Sequence, residues 1–219
     1  MRREFVRLLG LLLLTTHVAI ANAQSVIIGT PPPTGNPSGG NIALGDLEGQ
    51  SFTVPLTASI LNSFTIYYTR GYALQPAYAE YSFGIWRWNQ DPYALSGPLL
   101  FTRTGTLQSQ GDFALVPLTF DTGSLALEPG GVYVAMVWQT GGTGAIFLPN
   151  AGIVYDGGGR SGCRPAINQC GQLLDSQYFS ATFSPVPTAT MIPTMSEEAI
   201  GVTAVLVLLV GLWQLRNRF

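Results

Sequence analysis

Hydrophobic patterning divides this chain into three parts. Near each end lies one predominantly apolar run, Leu8 to Ile20 and Ala199 to Leu215, while between them apolar and polar residues alternate in short stretches. A period of two is the mark of strands that bury one face. Such runs recur at Ser51–Leu56, Ser63–Thr69, Tyr81–Trp88, Leu99–Arg103, Phe113–Phe120, Val132–Trp138, Ala145–Leu148 and Gln177–Phe183, punctuated by glycine, proline and other turn residues. No helical periodicity falls among them. The pattern predicts an all-β ectodomain over residues 24–183, a single antiparallel β-sandwich of jelly-roll type. Residues 30–40, rich in proline and glycine, read as a loop, and the proline-rich stretch 184–195 reads as a linker.

The apolar ends carry an address. Arg2, Arg3 and Arg7 precede the first run, and Ala21-Asn22-Ala23 follows it, the layout of a cleaved signal peptide over residues 1–23. The second run, 17 residues, makes a helix of roughly 26 Å, close to the thickness of a hydrocarbon core. Ser196 suits its N-cap, and Glu197 and Glu198 its positive end. Arg216 and Arg218 close it, which places the C-terminus in the cytoplasm by the positive-inside rule. Residues 196–219 are therefore expected to form one transmembrane helix with a basic tip. The mature chain begins near Gln24 and faces outward.

Composition then removes whole classes of chemistry. Every basic residue is arginine, and the single histidine, His17, belongs to the signal peptide. A mature chain without histidine excludes Ser-His-Asp and Cys-His catalysis and histidine metal sites. A chain without lysine excludes Schiff-base and P-loop chemistry. Residues 24–195 hold nine acids against five arginines, net −4, which gives nucleic acid nothing to bind. The remaining catalytic resource is a pair of carboxylates of the glycoside-hydrolase kind. Most acids, however, adjoin turn residues, as in Asp91-Pro92, Gly111-Asp112 and Asp156-Gly157, where they cap local backbone. No Asp-x-Asp-x-Asp run supports calcium, and neither a cofactor nor a metal is expected.

Cys163 and Cys170 are the only cysteines and lie in a glycine-rich segment. Outside the cytoplasm two cysteines pair, so a structural disulfide pinning a loop is expected. The alternative, a redox pair, reads Cys-x-x-Cys on a βαβ unit, and neither element is present.

Ile192-Pro193-Thr194-Met195-Ser196-Glu197, followed by an apolar helix and a basic tip, resembles the bacterial IPTL-CTERM sorting signal, a relative of PEP-CTERM. Met195, Glu198 and Ala199 stand where that pattern has Leu, Trp and Gly. The resemblance implies export in a Gram-negative bacterium alongside exopolysaccharide, with a membrane transpeptidase acting on the motif. A second resemblance covers about 50–140, through Phe83-Gly84-Ile85-Trp86-Arg87-Trp88 and Leu125-Ala126-Leu127-Glu128-Pro129-Gly130-Gly131, and is to the β-sandwich ectodomains that precede such tails. It implies a fold and a location. The expected product is either anchored in the inner membrane facing the periplasm, or released or transferred to the cell surface after processing.

Residues 64–93 hold ten aromatics. On the run Tyr81–Trp88, Phe83 and Ile85 point one way and Gly84, Trp86 and Trp88 the other, so one set faces outward or lies under a loop. Aromatic faces serve sugar rings and protein partners alike, and they also fill cores. The leading candidates for a glycan-binding surface are Trp86, Trp88 and Tyr93, with Tyr67 and Tyr72 behind them and Asn89 and Gln90 as hydrogen-bonding neighbours. Trp86 and Trp88 are expected to expose their indole faces ~7 Å apart along one strand. The function expected is that of a non-enzymatic surface or matrix protein that meets the membrane and exopolysaccharide or an envelope protein. The competing classes are a carboxylate-dependent glycan hydrolase and a fibre or adhesion subunit with a polymerising edge strand.

Overall fold

A computed structural model describes residues 24–31, 39–69, 78–108, 114–152, 155–186, and, in the tail, 213 and 216. The signal peptide, Tyr72, the sorting motif Ile192–Glu197 and most of the expected membrane helix lie outside the described residues. Trp213 and Arg216 are helical. Among the described residues no helix is long and apolar enough to cross a membrane. The chain divides into two compact units, Met1–Val186 and Pro187–Phe219.

The alternation in the first unit folds as expected for strands that bury one face. Two six-stranded sheets form, and the described strand pairs are antiparallel. In chain order the strands are β1 Val26–Gly29, β2 Gly39–Ile42, β3 Leu47–Thr53, β4 Ile60–Thr69, β5 Tyr78–Gln90 and β6 Tyr93–Gln108. They continue with β7 Leu115–Ala126, β8 Val132–Gly142, β9 Ile146–Pro149, β10 Arg160–Arg164, β11 Gln169–Gln172 and β12 Phe179–Ser184. The first sheet runs β1-β12-β4-β9-β2, with β7 also on β4; the second runs β11-β10-β3-β8-β5-β6.

Each of the eight expected runs overlaps a strand within the described residues, though several overrun its ends, and β1, β2, β10 and β11 add to them. The Cys163–Cys170 disulfide forms, but it does not pin a loop. It joins directly opposed residues of the β10–β11 hairpin, whose turn is a short 3₁₀ segment, Pro165–Ile167. Strand β2 likewise begins inside the stretch expected to be a loop.

Core residues alternate along each strand toward the space between the sheets. Phe52, Phe64, Phe83, Phe179 and Phe183 are fully buried there, with Leu61, Ile66 and Ile85. Phe64 lies 5.5 Å from Phe52, 5.8 Å from Phe83 and 5.6 Å from Phe179 by ring centroids. Phe83 stacks on Phe120 at 3.7 Å, bridging the two sheets. Each such side chain removes some 150–250 Å² from water, the main favourable contribution to the sandwich.

A second, smaller core sits on the far side of the second sheet. Leu47, Trp88, Val134, Met136 and Cys163 form it, with Trp86, Leu95, Trp138 and Cys170 packed against them. Val134 and Met136 are wholly buried although they face away from the sandwich interior. The reason is curl: the two edge strands of this sheet, β11 and β6, touch each other. Gly49 on β3 takes part in the close strand approach, because a Cβ there would fall 1.8 Å from the Ala135 carbonyl oxygen.

Candidate functional site

The outward face of β5 is aromatic because the strand alternates, and the structure places Phe83 and Ile85 inward and Trp86 and Trp88 outward, as the pattern required. The expectation of two exposed indoles is corrected. Trp88 is 4% exposed, and Trp86 is partly buried. Neither is covered by the other sheet; the curled edge of their own sheet covers Trp88. Its Nε1 donates to Gln172 Oε1 on β11 at 3.0 Å, and Tyr93 stacks on its ring at 6.1 Å with planes 19° apart. Tyr93 itself remains 43% exposed.

Tyr67 does not join this group. It lies on β4 in the first sheet and alternates outward between buried Ile66 and Tyr68, so it belongs to the opposite outer face of the sandwich. Asn89 Nδ2 donates to the Asp91 carbonyl at 3.3 Å and so supports its own turn. Arg87 projects to the other face, as expected, where it pairs with Glu128 at 2.7 Å.

Trp138 is the aromatic that the sequence reading missed. On β8, Tyr133, Ala135 and Val137 belong to the main core, whereas Val132, Val134, Met136 and Trp138 line the outer face. Trp138 meets Trp86 with centroids 5.7 Å apart. The same two-residue alternation used on β5 would have found it, had the pairing of β5 with β8 been known.

Several of the acids have structural partners. Asp175 pairs with Arg160 at 3.2 Å, and Asp46 with Arg164 at 3.5 Å. Asp121 accepts a hydrogen bond from the Gly123 amide at 2.9 Å. Glu48, between the first two pairs, has one carboxylate oxygen enclosed without a hydrogen bond. Burial raises its pKa above the ordinary carboxylate value, opposed by Arg160 and Arg164 and aided by Asp46 and Asp175. Among the described residues no group of three histidine, cysteine or acidic side chains could hold a metal ion.

Buried polar side chains of β3 tie it to its neighbours. Ser51 Oγ accepts from the Gly159 amide at 2.9 Å and donates to the Gly159 carbonyl at 3.1 Å. Gln50, fully buried, donates to the Ser51 carbonyl and accepts from the Gln177 amide at 2.8 Å. The Ser51 bonds fix the start of β10 and, with the 3.3 Å contact to Gln172, hold β11 over Trp88, while Gln50 ties β3 to the segment before β12.

No protein-family model matches the chain, and no curated protein matches it. Among solved structures, the chain is similar to the infectious bursal disease virus VP2 subviral particle at 12% identity and TM-score 0.28, covering 84% of this chain and 48% of that one. It is also similar to a structure of the Gx strain of the same virus at 10% identity and TM-score 0.28, covering 75% of this chain and 42% of that one. The chain thus spans about half the length of the first of these proteins, or less. Scores this low bear on neither fold nor function.

Proposed function

We propose that this chain is an exported surface or matrix protein without enzymatic activity of its own, directed by its two apolar ends and working in contact with exopolysaccharide or an envelope protein. The observation that carries it is the Cys163–Cys170 bond between directly opposed strand residues. Such a bond persists in oxidising compartments, and it belongs to a chain that opens with a signal-peptide pattern. The engagement of Asp46, Asp121, Glu128 and Asp175 in local pairs and turns supports structural roles for these acids. The resemblance of the tail to sorting signals adds the transpeptidase as a partner.

Intact-mass measurement on protein taken from the native envelope tests this reading. The expected mature chain starts at Gln24, lacks two thiol hydrogens, and either keeps its tail or ends close to Thr194 or Ser196. A full-length, reduced chain in the cytoplasm would end the proposal. Substituting each acid by its amide separates the hydrolase alternative: loss of a measurable polysaccharide cleavage in any single variant would establish catalysis.

A further inference from the structure

The curled edge covers Trp88 but leaves part of the same face open. There Trp86 and Trp138 meet at 5.7 Å with planes tilted by 48°, both only partly buried. Trp86 lies back along its own strand over Gly84: a Cβ at Gly84 would fall 2.6 Å from its Cη2 and 2.7 Å from its Cζ3. An indole laid on bare backbone keeps one face against the sheet and turns the other outward. Leu99 borders it, its Cδ1 2.8 Å from the same point. Thr102 and Thr104 stand opposite Gly84 and Ser82 in register, so their exposed hydroxyls share this face. Trp138 stands opposite Ser82 on the other side.

Charge narrows what this patch can hold. Arg87, Arg103 and Arg160 pair in register with Tyr133, Phe83 and Gln50, and Arg164 adjoins Cys163, so all four take the opposite face of the sheet. Among the described strand residues of this sheet the only charge on the outer face is Glu80, two pairs beyond Ser82. A surface with indole, hydroxyl and one carboxylate, and no cation, repels polyanions and anionic membranes. It matches an uncharged sugar, whose C–H face buries against indole while its hydroxyls reach threonine.

We propose that Trp86 and Trp138, seated over Gly84 and beside Thr102 and Thr104, form the binding platform for an uncharged glycan chain. The proposal rests on the reading of the protein as one that works in an exported polysaccharide matrix. It names the ligand class as neutral and moves the platform from a line along β5 to a pair across β5 and β8.

The test uses the full chain in detergent, titrated with neutral hexasaccharides (β-1,4-glucan, β-1,4-mannan and β-1,3-glucan) and with a hexagalacturonate, followed by tryptophan fluorescence and calorimetry. At least one neutral chain is expected to bind and the uronate not to. Trp138→Ala is expected to weaken binding about tenfold or more, and Trp138→Phe to recover most of it. Gly84→Ala, which lifts Trp86 from its seat, should also weaken binding, and Tyr67→Ala on the opposite sheet should not. Unchanged affinity in both Trp138→Ala and Gly84→Ala, equal or tighter uronate binding, or no binding of any neutral chain would overturn the platform. So would a protein partner whose capture depends on Trp86 and Trp138 and is unaffected by excess hexasaccharide. Each of these leaves the export reading standing so long as the mature mass begins at Gln24.

Discussion

Trp88 on β5 and Gln172 on β11 are joined by a 3.0 Å hydrogen bond although three strands separate them in the sheet. The bond closes the curl: the strand that ends one edge reaches the face of the strand next to the other. Gln172 Oε1 also lies 3.3 Å from Ser51 Oγ, whose single hydroxyl proton is shared between this oxygen and the Gly159 carbonyl. Gln172→Ala leaves a buried indole N–H without a partner, and the expected loss is about 1–3 kcal/mol. Urea denaturation checks it; a change within about 0.5 kcal/mol, the range of an ordinary surface substitution, would show that the curl holds without this bond.

The disulfide acts on the same element. Cys163 is 4% exposed and belongs to the second core with Trp88. Replacing both cysteines by serine releases a short ring from the unfolded chain, a loss of about 2–3 kcal/mol on the chain-entropy view. It also places hydroxyls among apolar neighbours, which adds to the loss. The distinguishing readout is tryptophan emission of the still-folded variant. A red shift is expected as water reaches Trp88, whereas an unchanged spectrum would mean that the hairpin stays closed by its hydrogen bonds alone.

Period-two alternation made the strand interiors legible, and it sorted Phe83 and Ile85 from Trp86 and Trp88 correctly. What it could not convey was curvature. A residue facing away from the sandwich is exposed only if the sheet is flat, and β6 and β11 meet because it is not. The same local reading missed β10 and β11, since Gly157–Gly159, Gly162 and Gly171 weaken strand propensity. Those strands are held by Ser51, whose hydroxyl meets Gly159 and Gln172, more than a hundred residues away in sequence. Trp138 was passed over for a related reason: its neighbour Trp86 is supplied by pairing, not by spacing.

Glu48 predicts a pH dependence with a definite sign. Burial raises its folded pKa above the unfolded value, so the folded state binds the proton more tightly. Stability from this group is therefore greatest below the unfolded pKa and falls as pH rises through the folded one. Glu48→Gln keeps the shape and removes the charge. The variant is expected to unfold at higher temperature than the parent at neutral pH, and to lack part of the parent's decline just above the usual carboxylate range. Calorimetry at pH 4 and pH 7 decides it: a variant less stable at neutral pH would mean that attraction to Arg160 and Arg164 outweighs desolvation.

Two contacts of similar prominence should differ widely in what they contribute. Phe64 is fully buried and meets Phe52, Phe83 and Phe179, so Phe64→Ala opens a cavity that rigid neighbours cannot fill, costing about 3–5 kcal/mol. The Arg87–Glu128 pair is closer, at 2.7 Å, but its side chains are 54% and 58% exposed. Water and salt screen it, and ordering two long side chains offsets much of the attraction, leaving about 0–1 kcal/mol. A double-mutant cycle on Arg87 and Glu128, repeated in 1 M salt, should give a small coupling that shrinks further. Coupling above about 2 kcal/mol, well outside the range of exposed pairs, would mean that this end of the sandwich is shielded from solvent and that the pair joins β5 to the loop before β8 more firmly than its exposure indicates.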